Sequence, residues 1–393
     1  MTSGRPSLLH RCTLFFFCLA VGVVFSPSAF ARPVDDESSP TEEIASSESE
    51  SKTKSQVAFP AFLKLRRDPT PKELVRDTHY WISNENRLDL FYDDVKDRGG
   101  IFIGVGTDQN YLLAAWSKPS VLVLMDFDQA VVDLHLVYRA LFMSSSTRED
   151  FLKAWEKKNR KATRRLIKTF YKDERRRQKR AKWAFGQARW AVERRMNRVR
   201  KHMNAIGMKT FFDDDEQFLF IKELFTQGRV FSLRGDLTAV RTMRSISKAA
   251  KAEEQTVGVL YLSNAEQYFS FDWKFRRNIS RLPVDDKSLV IRTNGLRSLK
   301  RVKGTYYHYN AQSLASFQEW LALKKRRPKN VTRMLKYAEP AEVRGYSHLE
   351  LQPQEARSRR RERRKAERIA KKKAAKAKRK KERKRRKKKS RGS

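Results

Sequence analysis

Gly99-Gly100-Ile101-Phe102-Ile103-Gly104-Val105-Gly106-Thr107-Asp108-Gln109-Asn110-Tyr111 reads as an apolar strand running into Gly-x-Gly and then into a helix. Glycines let a backbone turn tightly and approach a ligand, and free N–H groups at a helix start favour polar or anionic groups. Gly104, Gly106, Asp108, Gln109 and Asn110 are therefore candidate cofactor-binding residues. Gln109 stands where the dinucleotide fingerprint has its third glycine, so the motif alone is weak.

The next apolar run, 121–125, ends at Asp126, 20 residues beyond Gly106. A Rossmann fold places an acid there to hold ribose hydroxyls. The alternative is that Asp126 caps the following helix with Asp128, and that the glycines serve only the turn. Further strand-like runs cover 230–233, 257–262 and 288–292, with helical stretches at 110–116, 129–143, 237–252 and 264–275. This alternation predicts an α/β fold: a Rossmann-like, mostly parallel sheet flanked by helices, over 59–346. A final piece, 305–309, reads as an antiparallel edge strand, followed by a helix at 314–323. Asp236, Ser263, Asn264 and Glu266 fall at strand carboxyl ends, where open α/β sheets bind ligands, and join the candidate set. Asn264 reads equally well as a helix N-cap, with Gln267 at the capping-box position.

The stretches GGIFIGVGTDQNYLLAA, MDFDQAVVDLHLVYRALF and GVLYLSNAEQYF, preceded by Trp81-Ile82-Ser83-Asn84-Glu85, resemble a family of uncharacterised bacterial proteins with a class I methyltransferase-like Rossmann domain. The resemblance spans roughly 75–300. It implies a pocket for S-adenosylmethionine or a similar nucleoside, with Gly104 and Gly106 near the amino-acid end and Asp126 near the ribose. It implies no substrate, and no catalytic residue is assigned.

The chain has 393 residues and a net charge of +42. Residues 148–203 hold 22 Lys/Arg against 6 Asp/Glu, and 355–393 hold 24 against 4, so most of the excess sits in two segments. The first, a basic helical insertion over 148–205, lacks proline and predicts one long helix or a helical hairpin. Phe185, Val192, Met196, Val199 and Met203 form its apolar stripe, a packing seam. The second, 347–393, predicts a disordered polybasic tail that becomes helical once an anion neutralises it. Arg5, Arg11, the apolar run 14–25 and Ala29-Phe30-Ala31 predict a signal peptide over 1–31, with an uncleaved anchor as the alternative. An acidic, serine-rich linker, predicted to be disordered, covers 32–58. Both cysteines lie in the signal peptide, which suits an oxidising compartment, and the protein is expected to be periplasmic or extracellular.

Six scattered histidines without ligand spacing predict no metal site. His135, in an apolar helix, reads as a core residue. Asp213-Asp214-Asp215-Glu216 lacks calcium-loop spacing and reads as a solvated helix start. The basic segments, 148–203 and 357–391, predict polyanion partners: anionic lipid, lipopolysaccharide or nucleic acid, without sequence-specific readout. Phe170, Tyr171, Trp183 and Trp190 suit either base stacking or the seam. No transmembrane helix is expected after signal cleavage. Two functions remain: an exported methyltransferase-like protein binding an adenosyl ligand, or a cell-envelope polyanion binder on a degenerate Rossmann scaffold.

Overall fold

A computed structural model describes residues 58–74, 78–295 and 298–389. The expected signal peptide over 1–31 and nearly all of the expected acidic linker lie outside the described residues. Chain order is α1 (Tyr92–Val95), β1 (Ile101–Val105), α2 (Gln109–Ser117), β2 (Val121–Asp126), α3 (Gln129–Ser144), α4 (Arg148–Trp155), α5 (Arg160–Phe170), α6 (Arg175–Ala205), α7 (Asp215–Thr226) and β3 (Val230–Arg234). It continues with α8 (Arg241–Ala252), β4 (Val259–Tyr261), α9 (Trp273–Ser280), β5 (Leu289–Asn294), β6 (His308–Ser313), α10 (Leu314–Ala322), α11 (Val331–Leu335), β7 (Glu339–Pro340), β8 (Tyr346–His348) and α12 (Pro353–Lys389).

The strands form an eight-stranded sheet in the order β3-β2-β1-β4-β5-β6-β8-β7. β1 through β5 are parallel, and β6 pairs antiparallel with β5. This is the α/β, mostly parallel sheet expected from the sequence. The period of two along each strand explains why both faces are apolar. Phe102, Leu122, Leu124 and Tyr261 pack under α2 to α7, while Ile101, Ile103, Val123 and Leu260 pack under α8 to α11. The order reverses beside β1, which places the crevice of such folds between β1 and β4 at the carboxyl ends.

Several sequence expectations need correction. The basic insertion is neither one helix nor a hairpin but three helices, α4, α5 and α6. No glycine or proline marks the breaks. Asn159 Nδ2 donates to the Lys153 carbonyl at 2.8 Å and Thr163 Oγ1 to the Ala154 carbonyl at 2.7 Å, which closes the end of α4. Gln178 Nε2 donates to the Lys168 carbonyl at 2.8 Å near the end of α5. The seam itself is present: Phe185, Val192, Met196, Val199 and Met203 are buried, as are Phe151 and Trp155. Tyr171 is buried with its hydroxyl donating to the Leu136 carbonyl, whereas Trp183 and Trp190 are exposed.

The stretch 264–275 is not a helix; it holds a single turn at Ala265–Gln267, and α9 begins only at Trp273, capped by Asp272. The helix expected over 237–252 starts at Arg241, because the preceding turn is held by Asp236. β6 is antiparallel as expected but internal, since β8 and β7 lie beyond it.

The tail is also corrected over its first turns. β8 continues the sheet at 346–348, and α12 docks through buried Ala356. Arg357 lies over the Trp320 ring and Arg360 over the Tyr337 ring, at 5.5 and 5.0 Å from the ring centroids. From Glu367 onward every described side chain of α12 is exposed. Aromatic faces on α10 and near α11 thus hold arginines that composition alone marks as solvated.

Candidate functional site

The turn after β1 is closed by its own side chains. Gly106 has φ +98°, in the region that favours glycine, and its N–H donates to the Met125 carbonyl, tying the end of β1 to β2. A Cβ at Gly104 would strike Asn110 Oδ1, and one at Gly106 would strike Gln109 Nε2. The space that the glycines create is therefore taken by Asn110 and Gln109. Asn110 Nδ2 donates to the Val105 and Thr107 carbonyls at 3.3 and 3.2 Å, and Gln109 Oε1 accepts the Thr107 N–H at 3.1 Å.

Residues 83–87 lie across the carboxyl ends of β1, β4 and β5. Ser83 N–H donates to Asp108 Oδ1 at 3.0 Å, and Arg87 N–H to the Tyr309 hydroxyl at 3.0 Å. Glu85, 1% exposed, aims its carboxylate at the strand ends. Its Oε2 accepts from Ser83 Oγ at 2.8 Å and from the Tyr261 hydroxyl. Its Oε1 accepts from Ser263 Oγ at 2.9 Å and from Thr293 Oγ1. A carboxylate offers about four acceptor positions, and all are filled. Burial, with the Glu85 charge adding to it, pushes the Tyr261 hydroxyl well above its ordinary range, so it stays a donor.

Arg195, 1% exposed, locks this segment from α6. Its Nε donates to Asp108 Oδ2 at 3.1 Å, and its two terminal nitrogens donate to Asn86 Oδ1 at 3.0 Å and the Glu85 carbonyl at 2.6 Å. The Tyr307 hydroxyl donates to Asn84 Oδ1 at 2.7 Å and accepts from Asn264 Nδ2 at 3.1 Å. The cavity beside Arg195 and the Glu85–Leu88 stretch has a volume of about 230 Å³, below the range typical of small-molecule sites.

Gly104, Gly106, Asp108, Gln109, Asn110, Ser263 and Asn264 are thus brought together around residues 83–87. Asp126 lies beside them at the end of β2, where its Oδ1 accepts the Asp128 N–H at 2.9 Å. Burial raises its pKa to about 7, with the Asp128 charge adding to the shift. Asp128 caps α3 at the Ala130 N–H and accepts from His79 Nδ1 at 2.7 Å. His135 is a core residue. It donates from Nε2 to the Gly106 carbonyl, accepts the Tyr111 hydroxyl at Nδ1, and is held by burial near pKa 4, hence neutral.

Two candidates belong elsewhere. Glu266 is wholly buried in the second core, where it pairs with Arg292 at 2.8 Å, and that guanidinium lies 4.5 Å from the Phe317 ring centroid. It cannot project into the crevice, because the turn at 265–267 folds it under the sheet. Asp236 serves its own turn, accepting from Thr238 N–H and Oγ1 at 2.7 Å, while Asp68 receives the Asp236, Arg241 and Thr242 N–H groups. Asn264 is not a side-chain N-cap, and Gln267 Oε1 instead accepts the Gly295 N–H.

Sequence reasoning missed Glu85 and Arg195 as site residues. Arg195 hides among 22 cations, yet Ala188, Val192, Arg195 and Val199 share helical spacing, which put it on the buried face. Among the described residues, no group of three or more His, Cys, Asp or Glu is placed to hold a metal ion, and no helix is long and apolar enough to cross a membrane.

Comparison with curated proteins returns no match. The family model described as "Domain of unknown function (DUF7790)" matches residues 80–350, which begins at the segment plugging the crevice and ends just before α12, and the chain belongs to that family.

Proposed function

We propose that this protein is a non-catalytic, exported polyanion binder built on a Rossmann-like scaffold. The observation that carries this reading is the saturated Glu85 carboxylate at the switch point, where an open crevice would otherwise receive a ligand. The cationic groups lie outside the crevice. Arg175, Arg176, Lys179, Arg194, Arg198 and Lys201 are exposed on α6, and Glu367 to the C-terminus carries 17 Lys/Arg against 2 Asp/Glu. The α6 surface and α12 belong to opposite faces of the sheet, so one molecule offers two separate cationic surfaces to anionic partners. Signal-directed export makes anionic lipid, lipopolysaccharide or extracellular nucleic acid the available partners.

A second reading keeps the adenosyl ligand. It is favoured by Asp126, a buried acid at the ribose position of the fold, with its pKa raised to about 7.

One experiment separates the two. Mixed-sequence duplex DNA and phosphatidylglycerol vesicles are titrated against the full chain and against a chain ending at Ala366, over a salt series. Affinity for both probes falls steeply with salt, and the truncated chain binds at least tenfold more weakly with a shallower slope. Its melting temperature stays within a degree or so of the full chain, whereas ending the chain at Gln352 removes Ala356, Arg357 and Arg360 and costs on the order of 2 kcal/mol. Salt-independent binding sinks the polyanion reading. Calorimetric binding of S-adenosylmethionine that Asp126→Ala abolishes establishes the second reading instead.

A further inference from the structure

A cavity of about 570 Å³ opens beside the sheet edge at β3, bounded by residues 62–67, α3, the start of α6 and the turn before β3. Its volume lies within the range of small-ligand sites. Its floor is apolar, with Leu65, Val132, Leu136, Phe225 and Leu233 on it. Its charged lining consists of four arginines, Arg67, Arg139, Arg177 and Arg180, and among the described residues no carboxylate lines it. Two of the four are already held, Arg180 by Asp133 and Arg177 by Glu174.

Arg139 and Arg67 have no acidic partner among the described residues. Arg139 Nε, moreover, is buried without a hydrogen-bond partner. A guanidinium donor left so is costly unless an acceptor reaches it. An apolar floor beside the half-buried Arg139 and the exposed Arg67, neither of them paired with an acid, suits an anionic head on an alkyl chain.

We propose that this cavity binds a single-chain amphipathic anion, a phosphate or carboxylate headgroup on an alkyl tail. Arg139 and Arg67 hold the head, and the tail lies along Leu65, Leu136 and Phe225. This inference rests on the cavity alone and is independent of the cationic arms.

The test is calorimetry of the full chain with hexyl, octyl and decyl phosphate below their micelle concentrations, against inorganic phosphate and octanol. Affinity should rise roughly fourfold per added methylene. Arg139→Gln should weaken alkyl phosphate binding at least tenfold, since a charged hydrogen bond is lost. Ser232→Phe, which narrows the cavity from the half-exposed face of β3, should do the same and serves if Arg139→Gln misfolds. Arg165→Gln, on the exposed face of α5, should leave alkyl phosphate binding unchanged. A chain ending at Ala366 should keep alkyl phosphate binding in full while its DNA binding weakens at least tenfold, so the two readings fail separately. Inorganic phosphate binding as tightly as octyl phosphate overturns the amphiphile and leaves a free-anion site. Chain-length independence, octanol binding equally well, or full binding by Ser232→Phe also overturns the proposal.

Discussion

Replacing Arg195 by methionine is expected to destabilise the protein by about 3–5 kcal/mol, the cost of leaving a buried carboxylate without its partner. The loss concentrates on Asp108, whose Oδ2 faces the Arg195 Nε at 3.1 Å with both side chains buried. Asn86 Oδ1 and the Glu85 carbonyl lose donors in the same substitution. Asp108→Asn in the Arg195→Met background should recover part of that loss, because it removes the stranded charge while keeping an acceptor for the Ser83 N–H. Urea unfolding of the two single variants and the double variant measures the coupling. Arg198→Met, one turn away and exposed, should stay within about 0.5 kcal/mol of the parent. An Arg195→Met chain as stable as the parent would mean that residues 83–87 are not pinned by this pair.

The second large effect concerns acidity. Asp126 has a folded pKa of about 7, far above an unfolded carboxyl, so between pH 4 and 7 the folded state holds a proton that the unfolded chain has shed. Its contribution therefore makes stability fall as pH rises through that window, by at most about 4 kcal/mol. His135 works the other way. Its folded pKa is near 4, so below about pH 6.5 the unfolded chain takes up a proton that the buried ring refuses. Stability from this group is lost as pH falls, by at most about 3 kcal/mol.

The two slopes oppose each other between pH 4.5 and 6.5, and in the parent they largely cancel. Asp126→Asn should thus be more stable than the parent at pH 8, little changed at pH 4, and should rise in stability with pH across the window. His135→Gln, which can still donate to Gly106 and accept from Tyr111, should show the falling slope alone. Denaturant unfolding at pH 4.5, 6 and 8 reads both differences. Identical slopes in Asp126→Asn and the parent would count against a protonated Asp126.

The strands and the crossover helices were legible because their signals are local. Ile101 to Val105 and Val121 to Met125 are short, branched and bounded by glycine, proline or an acid, and both faces of the sheet ask for apolar residues. Asp126 was legible as the acid that ends β2. The breaks after Trp155 and Phe170 were not, because side chains such as Asn159, Thr163 and Gln178 make them, and those same residues sit comfortably inside helices. Glu266 illustrates another limit. Its place at a strand end was read correctly, but whether it faces the crevice or the core depends on a single turn that meets Arg292 from a distant strand. Glu85 was visible within Trp81-Ile82-Ser83-Asn84-Glu85, yet its partners Tyr261, Ser263 and Thr293 are some 180 to 210 residues away and only the closed sheet assembles them.

The distal part of α12 has a physical character of its own. From Glu367 to Lys389 it is a helix of 23 residues with 16 Lys/Arg and 2 Glu, and at 1.5 Å rise per residue its net charges are spaced about 2.5 Å apart along the axis. In water, two unit charges interact with thermal energy at a separation of about 7 Å, so this rod is charged nearly three times more densely than that distance tolerates. Small anions must condense on it, much as cations do on duplex DNA, whose charges lie about 1.7 Å apart. The helix is therefore a joint property of the chain and its ion atmosphere. Circular dichroism of the full chain should lose helical signal, in an amount matching these residues, as salt is dialysed away, and should regain it when a multivalent anion is added at micromolar concentration. The rod begins about a turn beyond Arg363, which donates to the Ala338 carbonyl. At 1.5 Å per residue its far end lies about 39 Å beyond that anchor, so an anion bound at that end is held clear of the folded domain.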